Sequence, residues 1–342
     1  MKKKLLGALL AISIIAGALT GCGGGKNTAS AAGNGEGGLK VLRNAVMTGQ
    51  LDQYATEVGL WQGIFKKHGI DLKTTEFVAG INTIDAVVNG QADVGMMADY
   101  AAVNRIGNTQ DNTDLRIFSE LSGGGVRTGG LYVPEKYASD LKSLDGSTGF
   151  VTHTGTVTDY YIARIIEYIG IDYSKQKLLN ADSTQTQLAL VKNNQASAIF
   201  AAGSQAKYVE EYGWKLAATV DELKITTGAY YLAREGFIKE NTQLLADYLK
   251  AIAESVQYIN DHFEESAKYL SDKLGVKEDD FKLQWKGYEL RSGFSEDAAV
   301  HLEEIEKWAV NAGRFKKDYN IRDFINTDAI KIAFPDKVTI KK

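Results

Sequence analysis

The stretch TEFVAGINTIDAVVNGQADVGMMADYAAV, Thr75 to Val103, decides the fold because its apolar residues change period twice. The chain enters it from IDLKTTEF (Ile70–Phe77), a run that reads as a strand. In GINTIDAVVNG the positions Ile81, Ile84 and Val88 share one helical face. ADVGMM (Ala92–Met97) is a short apolar run and reads as another strand. Strand, helix and strand in succession predict a parallel sheet built from right-handed βαβ units.

The same alternation extends in both directions. KVLRNAV (Lys40–Val46) reads as a strand, followed by a helix through DQYATEVGLWQGIFKKHG that Gly69 stops. DLRIFSEL, TGFVTH, KLLNA, ASAIFA and GAYYLAREG supply further strands. Between them lie helices in TVTDYYIARIIEYIG, around TQTQLALVKNN and from Ser204. Leu245, Leu249, Ile252, Val256 and Ile259 then form a strong helical stripe. A second helix carries Phe263, Ala267, Leu270 and Leu274, and a third runs through SEDAAVHLEEIEKWAVNAG.

The amino-terminal segment is of a different kind. Lys2, Lys3 and Lys4 precede the uncharged run Leu5–Gly21, which reads as an export signal; its ~17 residues are near the minimum for a membrane span. Cys22, the one cysteine of the chain, follows directly, and residues 23–38 are a Gly/Ala/Ser/Asn-rich tether with too little apolar surface to fold. Removing residues 1–21 takes away three lysines and no acid, so the formal charge moves from −4 to −7. That balance argues against a nucleic-acid partner. The apolar fraction of 44% suits a globular core, and one cysteine excludes an internal disulfide. The length suggests about two domains.

Leu19-Thr20-Gly21-Cys22 resembles a bacterial lipobox, which implies cleavage before Cys22 and a lipid on its sulfur. Three further segments carry a family likeness: Thr75–Val103, SLDGSTGFVTHTGTVTDYYIARIIEYIGI (Ser143–Ile171) and YLAREGFIKENTQLLADYLKAIAESVQYINDHFEESAKYL (Tyr231–Leu270). In this order they resemble the solute-binding proteins of ABC importers for nitrate, sulfonates and taurine. That superfamily also holds binding proteins for pyrimidine precursors of thiamine. The resemblance covers roughly residues 40–340. It implies an α/β periplasmic-binding-protein fold of type II: two lobes, each a mostly parallel sheet flanked by helices, joined by two crossing strands with ligand between them. Residues 1–21 are then the signal peptide and 22–38 the lipidated tether. Residues 39–127 with 229–342 make lobe one, and 128–228 lobe two. The crossings fall near Gly129–Val133 and Ala229–Ala233. Many relatives carry a Trp-Glu-Pro-like turn after the strand matching Ala196–Phe200; AAGSQ (Ala201–Gln205) stands here instead.

Ligands of open α/β sheets sit beyond the carboxyl ends of strands. That rule selects Gln50, Ala79 and Gly80, Asp99 and Tyr100, and Ser122 with Gly123 in lobe one. In lobe two it selects HTGTVTD, with Thr154, Gly155, Thr156 and Thr158, and Ser204 at the next helix start. Thr156 and Asp159 have the spacing of a capping box, so Thr156 serves the helix, the ligand or both. A helix start suits an anion such as a sulfonate. Tyr100, Tyr160 and Tyr230 wall the ligand or pack the core, and Asp99 receives a ligand amine or caps its helix. No pair of His68, His153, His262 and His301 has metal spacing, and His68 and His301 read as structural.

These readings combine into an extracytoplasmic lipoprotein, expected to be a monomer with no cofactor and no catalytic residues, that hands a small anionic or organic ligand to an ABC permease and its ATPase. Two alternatives stay open. One is a pyrimidine or thiamine-precursor binding protein or a related biosynthetic enzyme, although the histidine-rich site and cysteine-rich iron motif of such enzymes are not visible. The other is a sensory lipoprotein that presents its ligand to a receptor.

Overall fold

The computed structural model describes residues 38–123, 129–315 and 317–341. The signal stretch, Cys22 and residues 22–37 of the tether lie outside the described residues, as do Gly124 and Gly125.

Strands are numbered along the chain: β1 (Lys40–Met47), β2 (Ile70–Phe77), β3 (Val94–Ala98), β4 (Leu115–Ser122), β5 (Gly130–Pro134), β6 (Phe150–Thr152), β7 (Leu178–Asn180), β8 (Ala198–Ala201), β9 (Trp214–Thr219), β10 (Ala229–Arg234) and β11 (Leu290–Gly293). Among the described residues they form a six-stranded sheet, β11-β4-β10-β3-β1-β2, and a five-stranded sheet, β7-β6-β8-β5-β9. The first sheet carries lobe one and the second lobe two.

Strand direction follows from how each connection is made. β1 runs parallel to β2 in register from Lys40↔Ile70 to Met47↔Phe77, and parallel to β3, because helices return the chain between them. β10 is antiparallel to both β3 and β4, so β1 to β4 all point one way and β10 against them. In the second sheet β6 is parallel to β7 and β8, while β5 is antiparallel to β8 and β9. β5 and β10 are the first strands after each passage between sheets. Each enters from the edge where the preceding strand left, so each must run backwards.

This topology fixes where the two lobes face each other. β4 ends at Ser122 beside the start of β10, since Ala229 pairs with both Ser122 and Ala98. β5 starts at Gly130 beside the ends of β8 and β9, paired with Ala201 and Thr219. The carboxyl edges of both sheets are therefore the edges joined by the two passages, 123–129 and 220–228. Gly130 (φ 152°) has no room for a side chain there, because a Cβ would fall on the Ala218 carbonyl oxygen.

The helical stripe read from Leu245 to Ile259 is the buried face of the helix Thr242–Asp261. It lies over the helix Leu51–Trp61, which is buried from Leu51 through Gly59 because it is covered from both sides. The single helix read up to Gly69 is divided: a second helix, Ile64–Lys67, starts after Gly63, whose φ of 67° breaks the first. Lobe two has apolar clusters on both faces of its sheet, one around Ile162, Ile165 and Ile166 and one around Val191, Ile199 and Trp214. Tyr160 packs against the cores of both lobes.

Leu245 is fully buried, whereas Leu283 is 42% exposed. Leu245→Ala should cost about 2–5 kcal/mol, and Leu283→Ala less than about 0.5 kcal/mol. Urea midpoints at unchanged m-value measure both.

Candidate functional site

The facing edges of the two sheets contain every strand-end segment selected from sequence, but they use them differently. In lobe one, Gln50 is the half-buried residue before the helix Leu51–Trp61, and its side-chain oxygen accepts the Tyr288 hydroxyl at 3.1 Å. The Gln284 amide donates to the Gly49 carbonyl (2.7 Å) and to the Tyr288 hydroxyl (2.8 Å), so the segment around 284–288 braces this turn. Ala79 precedes the helix Gly80–Val88, and with no polar side chain it leaves the first N–H groups uncapped. Ser122 ends β4, and the Gly123 N–H donates to the Glu289 carbonyl at 3.1 Å.

Of the two roles read for Asp99, the side chain serves its own helix start, where it accepts the Tyr100 N–H. It is fully buried, and both oxygens are engaged within the protein. Oδ1 accepts the Tyr100 N–H (2.7 Å), while Oδ2 accepts the Gly228 N–H (2.8 Å) and faces His301 Nε2 (2.8 Å). Its carboxylate thus ties the second passage to the last long helix, Glu296–Asn311, instead of waiting for a ligand amine. His301, expected on a charged helix surface, is part of this tie and also faces the Thr226 hydroxyl at 3.5 Å. Tyr230 lies in the core of lobe one beside Phe294, with ring centroids 6.0 Å apart, and does not wall the cleft. Tyr100 and Tyr160 meet across the lobes in a stack at 5.5 Å, and Trp308 packs edge-on to both.

In lobe two the turn 153–156 uses its own donors. Thr154 N–H donates to Asn180 Oδ1 (2.9 Å), and Thr156 N–H to the His153 carbonyl (3.1 Å). The Thr156 hydroxyl donates to that carbonyl too (2.7 Å) and accepts the Thr158 N–H (3.3 Å). The capping box expected from Thr156 and Asp159 is displaced by one residue: Asp159 Oδ2 accepts the Gly155 N–H at 3.3 Å, not that of Thr156. Thr156 is therefore the cap of the helix Val157–Ile169, and the hydroxyls of Thr154 and Thr158 are the groups of this turn without a protein partner among the described residues. Ser204 sits in the first turn of the helix Gly203–Glu211, whose preceding residue Ala202 offers no side-chain cap. Open N–H groups with a partial positive charge thus stand at Gly80 in one lobe and at Gly203 in the other.

Two buried acids lie near the same edge of lobe one. Burial pushes Glu120 up to about 7, against the opposing effect of Arg291 (3.6 Å) and His301. Burial also pushes Asp52 up to about 7, although the Met47 N–H bonds it at 3.0 Å. Burial lowers His301, but the hydrogen bond and charge of Asp99, with Glu304 and Glu120, outweigh it and leave His301 raised. Among the described residues no group of three or more His, Cys, Asp or Glu side chains could hold a metal ion. Arg291, Trp308 and Arg314 were not singled out from sequence, because nothing near them in the chain marks a site.

The sheets and their facing edges define the two-lobed periplasmic-binding-protein fold, in the α/β class. The family described as NMT1/THI5 like matches residues 58–266, and the chain belongs to it. The fold is shared with the periplasmic aliphatic sulphonate binding protein SsuA of Escherichia coli at 15% identity, over 84% of this chain and 92% of that one, with a TM-score of 0.71. It is shared with the periplasmic nitrate-binding protein NrtA of Synechocystis PCC 6803 at 14% identity, over 86% and 88%, with a TM-score of 0.67. The desulfurization enzyme DSZB has it too, at 11% identity over 86% and 99%, with a TM-score of 0.64. No curated protein matches the chain by sequence.

Glu120, Asp52 and His301 all bind protons more tightly in the folded state than in the unfolded one. For the two acids the stabilising effect is complete below their ordinary values of 4.5 and 3.8 and is lost as pH rises through about 7. That of His301 is complete below 6.5 and lost as pH rises through its raised value. Melting temperature should therefore fall between pH 6 and pH 8, and Glu120→Gln should flatten that slope in scans across the range.

Proposed function

We propose that the protein is an extracytoplasmic solute-binding lipoprotein that captures a small anionic or organic ligand between its lobes and delivers it to an ABC importer. One observation carries this reading: both facing sheet edges present helix starts whose N–H groups are not satisfied by side-chain caps, at Gly80 and at Gly203. Such groups replace the water shell of an anion of the sulfonate, taurine or nitrate class. The fold shared with sulphonate- and nitrate-binding proteins supports the same class.

In this reading Gln50, Ala79, Gly80, Ser122 and Gly123 form the half-site of lobe one, residues 39–127 with 229–342. Thr154, Gly155, Thr158 and Ser204 form that of lobe two, residues 128–228, while Thr156 shapes its turn. Rotation at the two passages closes the lobes over the ligand. The permease and ATPase partners couple release to ATP hydrolysis, and the protein returns its ligand unchanged. A lipid on Cys22 holds it at the outer face of the cell membrane; among the described residues no helix is long and apolar enough to cross one.

A thermal-shift screen of the full chain in mild detergent with ethanesulfonate, taurine, nitrate and an aminopyrimidine tests the reading, since a ligand stabilises by mass action. At least one compound should raise the melting temperature with saturation, and no shift from any of them would contradict the proposal. Ser204→Ala should weaken binding of the stabilising compound by up to about tenfold, the range of one hydrogen bond, without lowering the melting temperature of the free protein. Cys22→Ser should abolish incorporation of labelled fatty acid and release the protein from the membrane fraction; normal labelling would exclude the anchor.

A further inference from the structure

Arg314 and Trp308 belong to the end of lobe one, yet their side chains touch lobe two. Trp308 lies on the helix Glu296–Asn311 and donates its indole N–H to Glu167 at 2.8 Å. Arg314, just beyond that helix, donates to the Tyr173 hydroxyl at 2.8 Å and approaches Asp159 Oδ1 at 3.8 Å. Its guanidinium also lies 4.9 Å from the centre of the Tyr173 ring and 5.8 Å from that of Trp308. Aromatic faces on both lobes thus hold a cation where the lobes meet.

Asp159 is the group that makes this contact consequential. It is buried in the first turn of the helix Val157–Ile169. Oδ1 accepts the Tyr173 hydroxyl at 3.3 Å, and Oδ2 accepts the Gly155 N–H at 3.3 Å. Gly155 has a φ of 79°, a conformation that side-chain-bearing residues rarely adopt, and its carbonyl meets the Asn104 amide of lobe one at 3.5 Å. A buried carboxylate needs a compensating cation, and the only guanidinium or ammonium group in a described ion pair with Asp159 comes from the other lobe. Separation of the lobes would remove that partner and leave Asp159 with only the Tyr173 hydroxyl and the Gly155 N–H of its own lobe.

We infer that Arg314 is a positioning residue for the ligand-facing turn of lobe two: through Asp159 it sets the conformation of Thr154–Thr156 in the closed molecule only. Closure then shapes half of the site as well as covering it, so closure and capture are coupled through named side chains. The inference rests on the reading that this turn faces the ligand.

Hydrogen–deuterium exchange of the full chain in mild detergent tests it in saturating ethanesulfonate, the probe whose binding closes the lobes. Arg314→Ala should speed exchange of the amides in 154–160 by about tenfold, the effect of losing one charge-assisted contact, while the core helix 242–261 keeps the wild-type rate. Lys317→Ala removes a charge whose partner, Asp111, is in lobe one, and should change neither segment. If Arg314→Ala does not fold, Arg314→Lys, which keeps the charge but loses the planar fork, should give exchange in 154–160 faster than wild type. Wild-type exchange there, or an equal rise in 242–261, would overturn the inference. Wild-type exchange in 154–160 of Arg314→Ala with ethanesulfonate bound overturns this inference alone and leaves the ligand-binding reading intact, whereas failure of the compound screen overturns that reading and this inference with it.

Discussion

At Asp99 three stretches of chain that are far apart in sequence meet on one carboxylate. It accepts the N–H of its own helix start, the Gly228 N–H 129 residues away and the ring of His301 202 residues away. Removing one partner of such a buried pair commonly costs about 3–5 kcal/mol, because the other charge is left unpaired. The location matters more than the energy. Gly228 ends the second passage between the lobes, and Thr226, two residues earlier, faces the same histidine. The tie anchors the end of that passage to the sheet of lobe one and to the helix Glu296–Asn311. The first passage leads into Gly130, where the backbone is packed too closely against β9 for any side chain.

The contacts between the lobes fall on two flanks. On one, Tyr100 stacks on Tyr160, and Trp308 and Arg314 reach Glu167 and Tyr173. On the other, the Tyr208 hydroxyl of lobe two donates to Asp280 at 3.0 Å and accepts from Lys277 at 3.0 Å. These contacts are few, polar and aromatic. Ion pairs and hydrogen bonds of partly exposed groups contribute little each, so such flanks hold the lobes together without fusing them. Such a contact resembles a transient interface more than an obligate one.

Much of the fold was legible because it is local. Ile70–Phe77 reads as a strand from its own residues and is β2, and the stripe from Leu245 to Ile259 is a buried helix face. β9 and β11 were missed for the opposite reason. LRSG has one apolar residue, and it is a strand because the edge of β4 offers it hydrogen bonds. The site divides in the same way. Strand-end positions such as Ala79–Gly80 follow from topology, so sequence could select them. Roles such as that of Asp99 depend on partners 129 and 202 residues distant, which no spacing shows. The same holds for Arg314, whose partner Tyr173 is 141 residues away. Thr156 lies between these cases: its capping role was visible, but the one-residue shift of Asp159 to Gly155 depends on the left-handed glycine.

The central claim is that the facing sheet edges enclose a ligand by rotation of two rigid lobes. Small-angle X-ray scattering of the detergent-solubilised full chain, matched for detergent contrast and titrated with ethanesulfonate, tests it most directly. The account predicts that the radius of gyration and maximum dimension fall together to a saturating limit. It also predicts that the limiting profile fits the closed arrangement in which Tyr100 stacks on Tyr160. Saturable binding of ethanesulfonate with an unchanged profile, from a molecule already closed without it, would contradict the account.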